Sequence, residues 1–229
     1  MTVVSLSSEF EKFLEKYNIK DYSLLKHEQF RYVIFNNEDN YYYKLSGPTS
    51  AGRKAENDLH YFLNNAHFPN HLVSSIIDTE LNLRIIKSSP APGKLIKDIL
   101  ITPKNTLDKT YIIKMMEWFK WQHTESRRIF PKITDKYFIC LGIFKGKIDL
   151  HANNIIYDEE THQFTPIDFE KGTWITEDEY ILYTFNSINE TWCRRMKDAN
   201  LKNSKNWPSI REYPKLLDYC VEYIYKEIL

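Results

Sequence analysis

Between Lys147 and Glu170 the chain reads K-I-D-L-H-A-N-N-I-I-Y-D-E-E-T-H-Q-F-T-P-I-D-F-E, and that order leaves it few choices of local structure. A polar loop carries Asp149, His151, Asn153 and Asn154, and the apolar run Ile155-Ile156-Tyr157 after it reads as a strand. Asp158 to Gln163 is rich in the residues that favour turns, and Phe164 to Ile167 reads as a second strand. That strand runs directly into Asp168-Phe169-Glu170, so the spacing predicts a hairpin whose open end gathers Asp149, Asn154 and Asp168.

Two carboxylates and an amide at one point suit phosphoryl transfer. That reaction asks a protein for positioning, for oxygen ligands to Mg²⁺ and for one further carboxylate to take the proton of the attacking hydroxyl. Mg²⁺ usually takes one or two oxygens from the protein and the rest from phosphate and water. The order Asp149, then Asn154 five residues on, then strand, turn, strand and Ile167-Asp168-Phe169-Glu170 resembles the catalytic core of the protein-kinase-like superfamily. It is most similar to the small-molecule branch, the aminoglycoside phosphotransferases and choline kinases. The resemblance implies that Asp149 is the catalytic base and that Asn154 and Asp168 hold Mg²⁺. It also implies a bilobal α+β fold, with a small N-terminal lobe built on a five-stranded antiparallel sheet and a larger, mostly helical C-terminal lobe.

The upstream pattern suits such a lobe. Ser8 to Tyr17 spaces Phe10, Phe13, Leu14 and Tyr17 at helical intervals, with Ser7 or Ser8 as cap. Strand signals follow at Tyr22–Leu25, Phe30–Phe35 and Asn40–Leu45, the last two joined by the turn Asn36-Asn37-Glu38-Asp39. Residues 51–64 form an amphipathic helix pattern, and Leu72–Ile77 with Leu81–Ile86 reads as the hairpin that completes the sheet. By the resemblance, Lys44, late on the third strand, holds the α- and β-phosphates of ATP and is braced by Glu56 of the helix. A competing motif overlaps this region. Gly47-Pro48-Thr49-Ser50-Ala51-Gly52-Arg53-Lys54 approximates a P-loop, but Arg53 and Lys54 stand where the phosphate-reaching lysine and the Mg²⁺-binding hydroxyl belong.

Ser88 to Gly93 interrupts all periodicity and is the expected hinge, giving a nucleotide-binding lobe over 1–88 and a catalytic and substrate lobe over 89–229. A short helix is predicted over Leu95–Leu100, and then a long one opening at Thr102-Pro103 or at Thr106. Its core stripe is Leu107, Tyr111, Ile112, Met115, Met116, Phe119 and either Gln122 or His123, and Arg127-Arg128 reads as a solvated helix end in preference to a phosphate contact. Phe138–Phe144 is apolar enough to be buried. Helical patterns recur over 177–188, 190–199 and 213–229. Glu177-Asp178-Glu179 near Tyr180, Tyr183 and Trp192 has two readings: a helix start, or a cation-attracting wall for an amino sugar or quaternary amine.

The chain has 31 basic and 31 acidic residues, so no overall field draws it to nucleic acid or a membrane surface. Cys140, Cys193 and Cys220 are odd in number and scattered, which reads as reduced thiols rather than a disulfide framework. With no secretory leader pattern in Met1–Leu14 and no run of about eighteen apolar residues, a cytoplasmic location without a membrane span is expected. The expected activity is ATP- and Mg²⁺-dependent phosphate transfer to a hydroxyl of a small molecule or glycan. Two departures from the family pattern bear on it: the connection Lys26-His27-Glu28-Gln29 has no glycine, and Lys147 stands where a histidine commonly precedes the catalytic aspartate. The first supports the alternative of a pseudokinase acting as a nucleotide-binding or scaffold protein. A protein Ser/Thr kinase is a further alternative, disfavoured by Asp168-Phe169-Glu170 in place of D-F-G and by the lack of an A-P-E-like sequence downstream.

Overall fold

The computed structural model describes residues 8–28, 31–47, 53–95, 107–132, 137–144, 147–148, 154–169, 171–176 and 179. The chain divides into two compact units, residues 1–91 and 92–229. No helix among the described residues is long and apolar enough to cross a membrane.

The first unit opens with helix α1 (Ser8–Lys16), acidic in its first turn and ending on Lys16, as the helix dipole favours. Asn18 takes the left-handed conformation and closes the helix in a Schellman motif, with Ile19 N donating to Leu14 O and Asn18 N to Glu15 O. Five antiparallel strands follow: β1 (Tyr22–Glu28), β2 (Arg31–Asn36), β3 (Tyr41–Ser46), β4 (Val73–Asp78) and β5 (Leu83–Ser88). Their order in the sheet is β1-β2-β3-β5-β4. One face packs on α1, where Phe10 stacks on Tyr32 at 4.3 Å between centroids and Phe13, Ile34, Leu45 and Ile85 fill the core. Helix α2 (Arg53–Asn65) buries Leu59, Phe62 and Leu63 and lies along edge strand β4. There the Asn64 carboxamide accepts from Ser75 N at 2.8 Å and donates to Ser75 O at 2.9 Å. This pairing covers part of an edge that would otherwise invite another strand.

In the second unit, β6 (Lys94–Leu95) pairs with β10 (Ile155–Asp158), which pairs in turn with β11 (Gln163–Pro166). Gly93 enters this sheet at φ +107°, and a Cβ there would lie 2.2 Å from Tyr157 O, so only glycine fits. Helix α3 (Leu107–Ile129) lies against β7 (Tyr137–Leu141), which pairs with β12 (Gly172–Thr176). The two-residue strands β8 (Ile143–Phe144) and β9 (Lys147–Ile148) form a small hairpin between β7 and the Asp149 loop.

Three hairpin turns solve a glycine shortage with one device. Asn36, Asp78 and Asp158 end β2, β4 and β10, and each side chain accepts a backbone N–H two residues on. Asn40, Asn82 and His162 close the same turns at φ 60°, 52° and 54°. With six glycines in 229 residues, side-chain acceptors and left-handed asparagines serve where glycine usually does.

Several expectations need correction. Lys26, His27 and Glu28 are not a loop but the end of β1, with Glu28 paired to Arg31, so only residues 29 and 30 separate the two strands. Leu95 is strand rather than the start of a helix, because its backbone pairs with Ile156; residues 96–100 lie outside the described ones. Strand β12 was not anticipated, its five residues G-T-W-I-T being too short and mixed to show a period. The described residues of the second unit hold one long helix and seven short strands, and of the helical patterns over 177–188, 190–199 and 213–229 they include residue 179 alone, which is helical. The buried stripe of α3 includes Trp118, Glu125 and Ser126, which the apolar period passed over, and it contains Gln122 while His123 packs edge-on against Phe138. Arg128 forks onto Glu125 one turn back at 3.0 and 2.6 Å.

Candidate active site

The register of β10 with β11 continues one step beyond the strands: Ile167 N donates to Asn154 O at 2.9 Å. Asn154 and Asp168 therefore stand one residue apart in register at the open end of the hairpin. Both are half-buried, while Ile155 and Pro166, just inside, are buried. Beyond Asp168, Phe169 is only 2 % exposed and stacks on Trp118 of α3, ring planes within 24° and centroids 6.0 Å apart. Asp168 is thus held between two anchored neighbours. A carboxylate and a carboxamide are the hard oxygen donors Mg²⁺ prefers, so this pair fits that ion.

Asp149 lies outside the described residues, but the chain that leads to it is fixed. Ile148, its predecessor, pairs with Ile143. Gly142, next to Ile143, donates to Lys171 O at 2.7 Å, and Lys171 follows the Asp168-Phe169-Glu170 segment directly. Backbone pairing therefore ties the start of the Asp149 loop to the end of the segment that carries Asp168.

Lys44 sits on β3 between Tyr43 and Leu45, which are buried on the α1 side, so it occupies the opposite face. Register places it in one row across all five strands, Lys26, Val33, Lys44, Ile86 and Ser75. Glu56 is half-buried in the first turn of α2. Of the P-loop-like stretch, residues 48–52 lie outside the described ones, and Arg53 opens α2. Glu179 makes a capping box: its carboxylate accepts from Thr176 N at 2.9 Å and its N–H donates to Thr176 Oγ1 at 3.2 Å. The helix-start reading therefore accounts for Glu179. Cys140 is fully buried, and burial pushes its thiol well up, which keeps it protonated and unreactive.

The periodic signal missed the support behind the site. Gln122 Oε1 accepts from Leu141 N at 2.6 Å, and Ser126 Oγ accepts from Ile139 N at 2.9 Å. Their spacing of four on a helix beside an apolar segment was the available clue.

A five-stranded antiparallel sheet with its helix, followed by a second unit of helix and short hairpins, makes an α+β fold similar to that of solved aminoglycoside phosphotransferases. The solved structures it resembles include the aminoglycoside phosphotransferase APH(2'')-IIa in its gentamicin complex. That match has a TM-score of 0.52 and 15% identity and covers 98% of this chain and 97% of that one. ADP-bound APH(2'')-Ib matches with a TM-score of 0.51 and 11% identity over 95% of this chain and 97% of that one. The streptomycin–ATP ternary complex of APH(2'')-IIa matches at 0.51 and 14% identity over 79% and 76%. No family model matches the sequence, and no curated protein does.

Proposed function

We propose that this chain is an ATP- and Mg²⁺-dependent phosphotransferase that moves the γ-phosphate to a hydroxyl of a small molecule, with an amino sugar, a sugar or an amino alcohol as the acceptor class. The observation that supports the reading is the Ile167–Asn154 backbone hydrogen bond, which pairs Asn154 with the residue before Asp168 at the mouth of a hairpin in this fold. In the proposal, Asp149 orients the acceptor hydroxyl and takes its proton as the oxygen bonds to the γ-phosphorus. The bond from that phosphorus to the β–γ bridging oxygen breaks, and ADP leaves. Lys44, braced by Glu56, neutralises the nucleotide phosphates. Asn154 and Asp168 hold Mg²⁺, which supplies charge neutralisation for the phosphoryl oxygens. The neighbours captured with gentamicin, streptomycin, ATP or ADP support the acceptor and nucleotide classes at the level of fold.

The pseudokinase reading draws on one observation: two residues between β1 and β2, neither of them glycine, leave little backbone to wrap phosphates. Asp149→Asn separates the two readings. It removes a charge and keeps the size, so calorimetry should find nucleotide affinity close to wild type while transfer falls about 10²–10⁴-fold, the usual contribution of a positioned general base. Tight Mg²⁺–ATP binding by wild type without turnover over a broad acceptor panel would favour the pseudokinase.

A further inference from the structure

Strand β7 has two edges. One pairs with β12, through the register Leu141 to Gly172 and Ile139 to Trp174. The other meets helix α3, whose side chains stand in for a third strand: Gln122 Oε1 takes the N–H of Leu141 at 2.6 Å, and Ser126 Oγ takes the N–H of Ile139 at 2.9 Å and faces its carbonyl at 3.4 Å. The match is metric. Four residues of helix rise about 6 Å, and two residues of strand advance about 6.7 Å, so side chains four apart on α3 meet alternate amides of β7. Trp118, four residues before Gln122, continues the same stripe onto Phe169.

Gln122 is fully buried, and its Nε2 has no hydrogen-bond partner among the described residues. Burying an amide with an idle donor is costly, so packing alone would favour methionine or leucine there. What the amide gains is the grip on Leu141. Leu141 precedes Gly142, which is bonded to Lys171; β8 and β9 then lead from Gly142 into the Asp149 loop. The stripe 118, 122 and 126 therefore grips β7 and, through Trp118, the residue that follows Asp168.

We infer that Gln122 is a positioning residue for phosphoryl transfer, holding β7, and through it the segment that follows Asp168, in register by its bond to Leu141. The inference rests on the phosphotransferase reading.

The experiment uses the full chain and two variants. Gln122→Met keeps length and volume but accepts no hydrogen bond; Gln122→Glu keeps the acceptor and, when protonated, the shape. Melting temperature checks folding. Turnover and KM for ATP, and the Mg²⁺ dependence of ATP binding by calorimetry, report on the site. Gln122→Met should fold, lose about tenfold or more in kcat, roughly 1.4 kcal/mol of barrier, and leave KM for ATP close to wild type. Gln122→Glu keeps an oxygen that accepts from Leu141 N, so it should retain most of the turnover that Gln122→Met loses. A methionine variant with wild-type kcat overturns the inference, and so does a glutamate variant as impaired as the methionine one. If Gln122→Met does not fold, Gln122→Leu takes its place in the same comparison with Gln122→Glu. A wild type that binds Mg²⁺–ATP without turnover would remove the phosphotransferase reading. The inference would then stand on a tenfold weaker Mg²⁺ dependence of ATP binding in the methionine variant and fall if that dependence is unchanged. A wild type that shows no Mg²⁺-dependent ATP binding overturns both.

Discussion

Lys44 owes its presentation to its two neighbours. Tyr43 and Leu45 are 7 % and 1 % exposed, and they lock into the core that α1 covers. Strand alternation then turns residue 44 to the other face. Tyr43 is held further by its hydroxyl, which donates to Asp39, and Asp39 in turn pairs with Lys87 at 2.8 Å. Burial alone would raise the Asp39 carboxyl, but Lys87 and Tyr43 outweigh it and hold it below its ordinary range. A register slip of one residue would bury Lys44 and expose Tyr43, so the core fixes which residue faces away from α1. The P-loop-like alternative makes the opposite demand, because it needs Arg53 and Lys54. Lys44→Ala should therefore weaken ATP binding about tenfold or more, roughly 1.4 kcal/mol or above, measured by calorimetry with Mg²⁺ present. Arg53→Ala combined with Lys54→Ala should change it by much less. The reverse pattern would move the phosphate site to residues 47–54 and remove Lys44 from it.

At the scale of elements, α1 is tied to the turn between β4 and β5. Asp78, buried at 5 % exposure, receives Lys16 Nζ at 2.9 Å, the Tyr17 hydroxyl at 3.0 Å and the Leu81 amide at 3.0 Å, while Lys16 also pairs with Glu80. Burial pushes the Asp78 carboxyl up, but the Leu81 amide, Lys16 and Tyr17 together prevail and hold it below the usual carboxylate range. A depressed native pKa means that this stabilisation is complete above the unfolded value of about 4 and drains away as pH falls through the native one. Asp78→Ala should cost about 1–3 kcal/mol near neutrality and should flatten the acid limb of the melting curve. A variant that keeps the wild-type acid limb would dismiss this tie. The same elements show what periodicity can and cannot reveal. Phe10 and Phe13, or Tyr32 and Ile34, announce helix and strand because apolar contact drives their placement, and Asp149, Asn154 and Asp168 stand out because a loop, a turn and two strand runs fix their spacing. Gln122 and Ser126 look like solvated helix residues, since nothing local says that their partners are the amides of β7. Strand β12 was hidden for the same reason: its pairing partner lies more than thirty residues earlier along the chain.

For the molecule as a whole, the proposed function asks Lys44 of the first unit and Asn154 and Asp168 of the second to serve the same nucleotide. That makes a prediction about linkage rather than about any one contact. A ligand that binds only the folded chain raises stability by RT ln(1 + [L]/Kd), about 2.7 kcal/mol at a hundredfold excess over Kd. ATP without Mg²⁺ should raise the melting temperature modestly, through contacts that include Lys44, and Mg²⁺ should add a second increment that neither component gives alone. Asp168→Ala should keep the first increment and lose the second, with the unliganded melting temperature near wild type, because Phe169 and Pro166 still anchor the backbone on either side. Lys44→Ala should lose most of both, since the ion is presented on the phosphates that Lys44 helps to hold. The double variant should then be no worse than Lys44→Ala, the non-additivity expected of residues acting on one ligand. Scanning fluorimetry of the four proteins with ATP, Mg²⁺ and both measures every term. Increments that add independently, with Asp168→Ala and Lys44→Ala each removing a separate share, would mean that the two units do not act on one nucleotide.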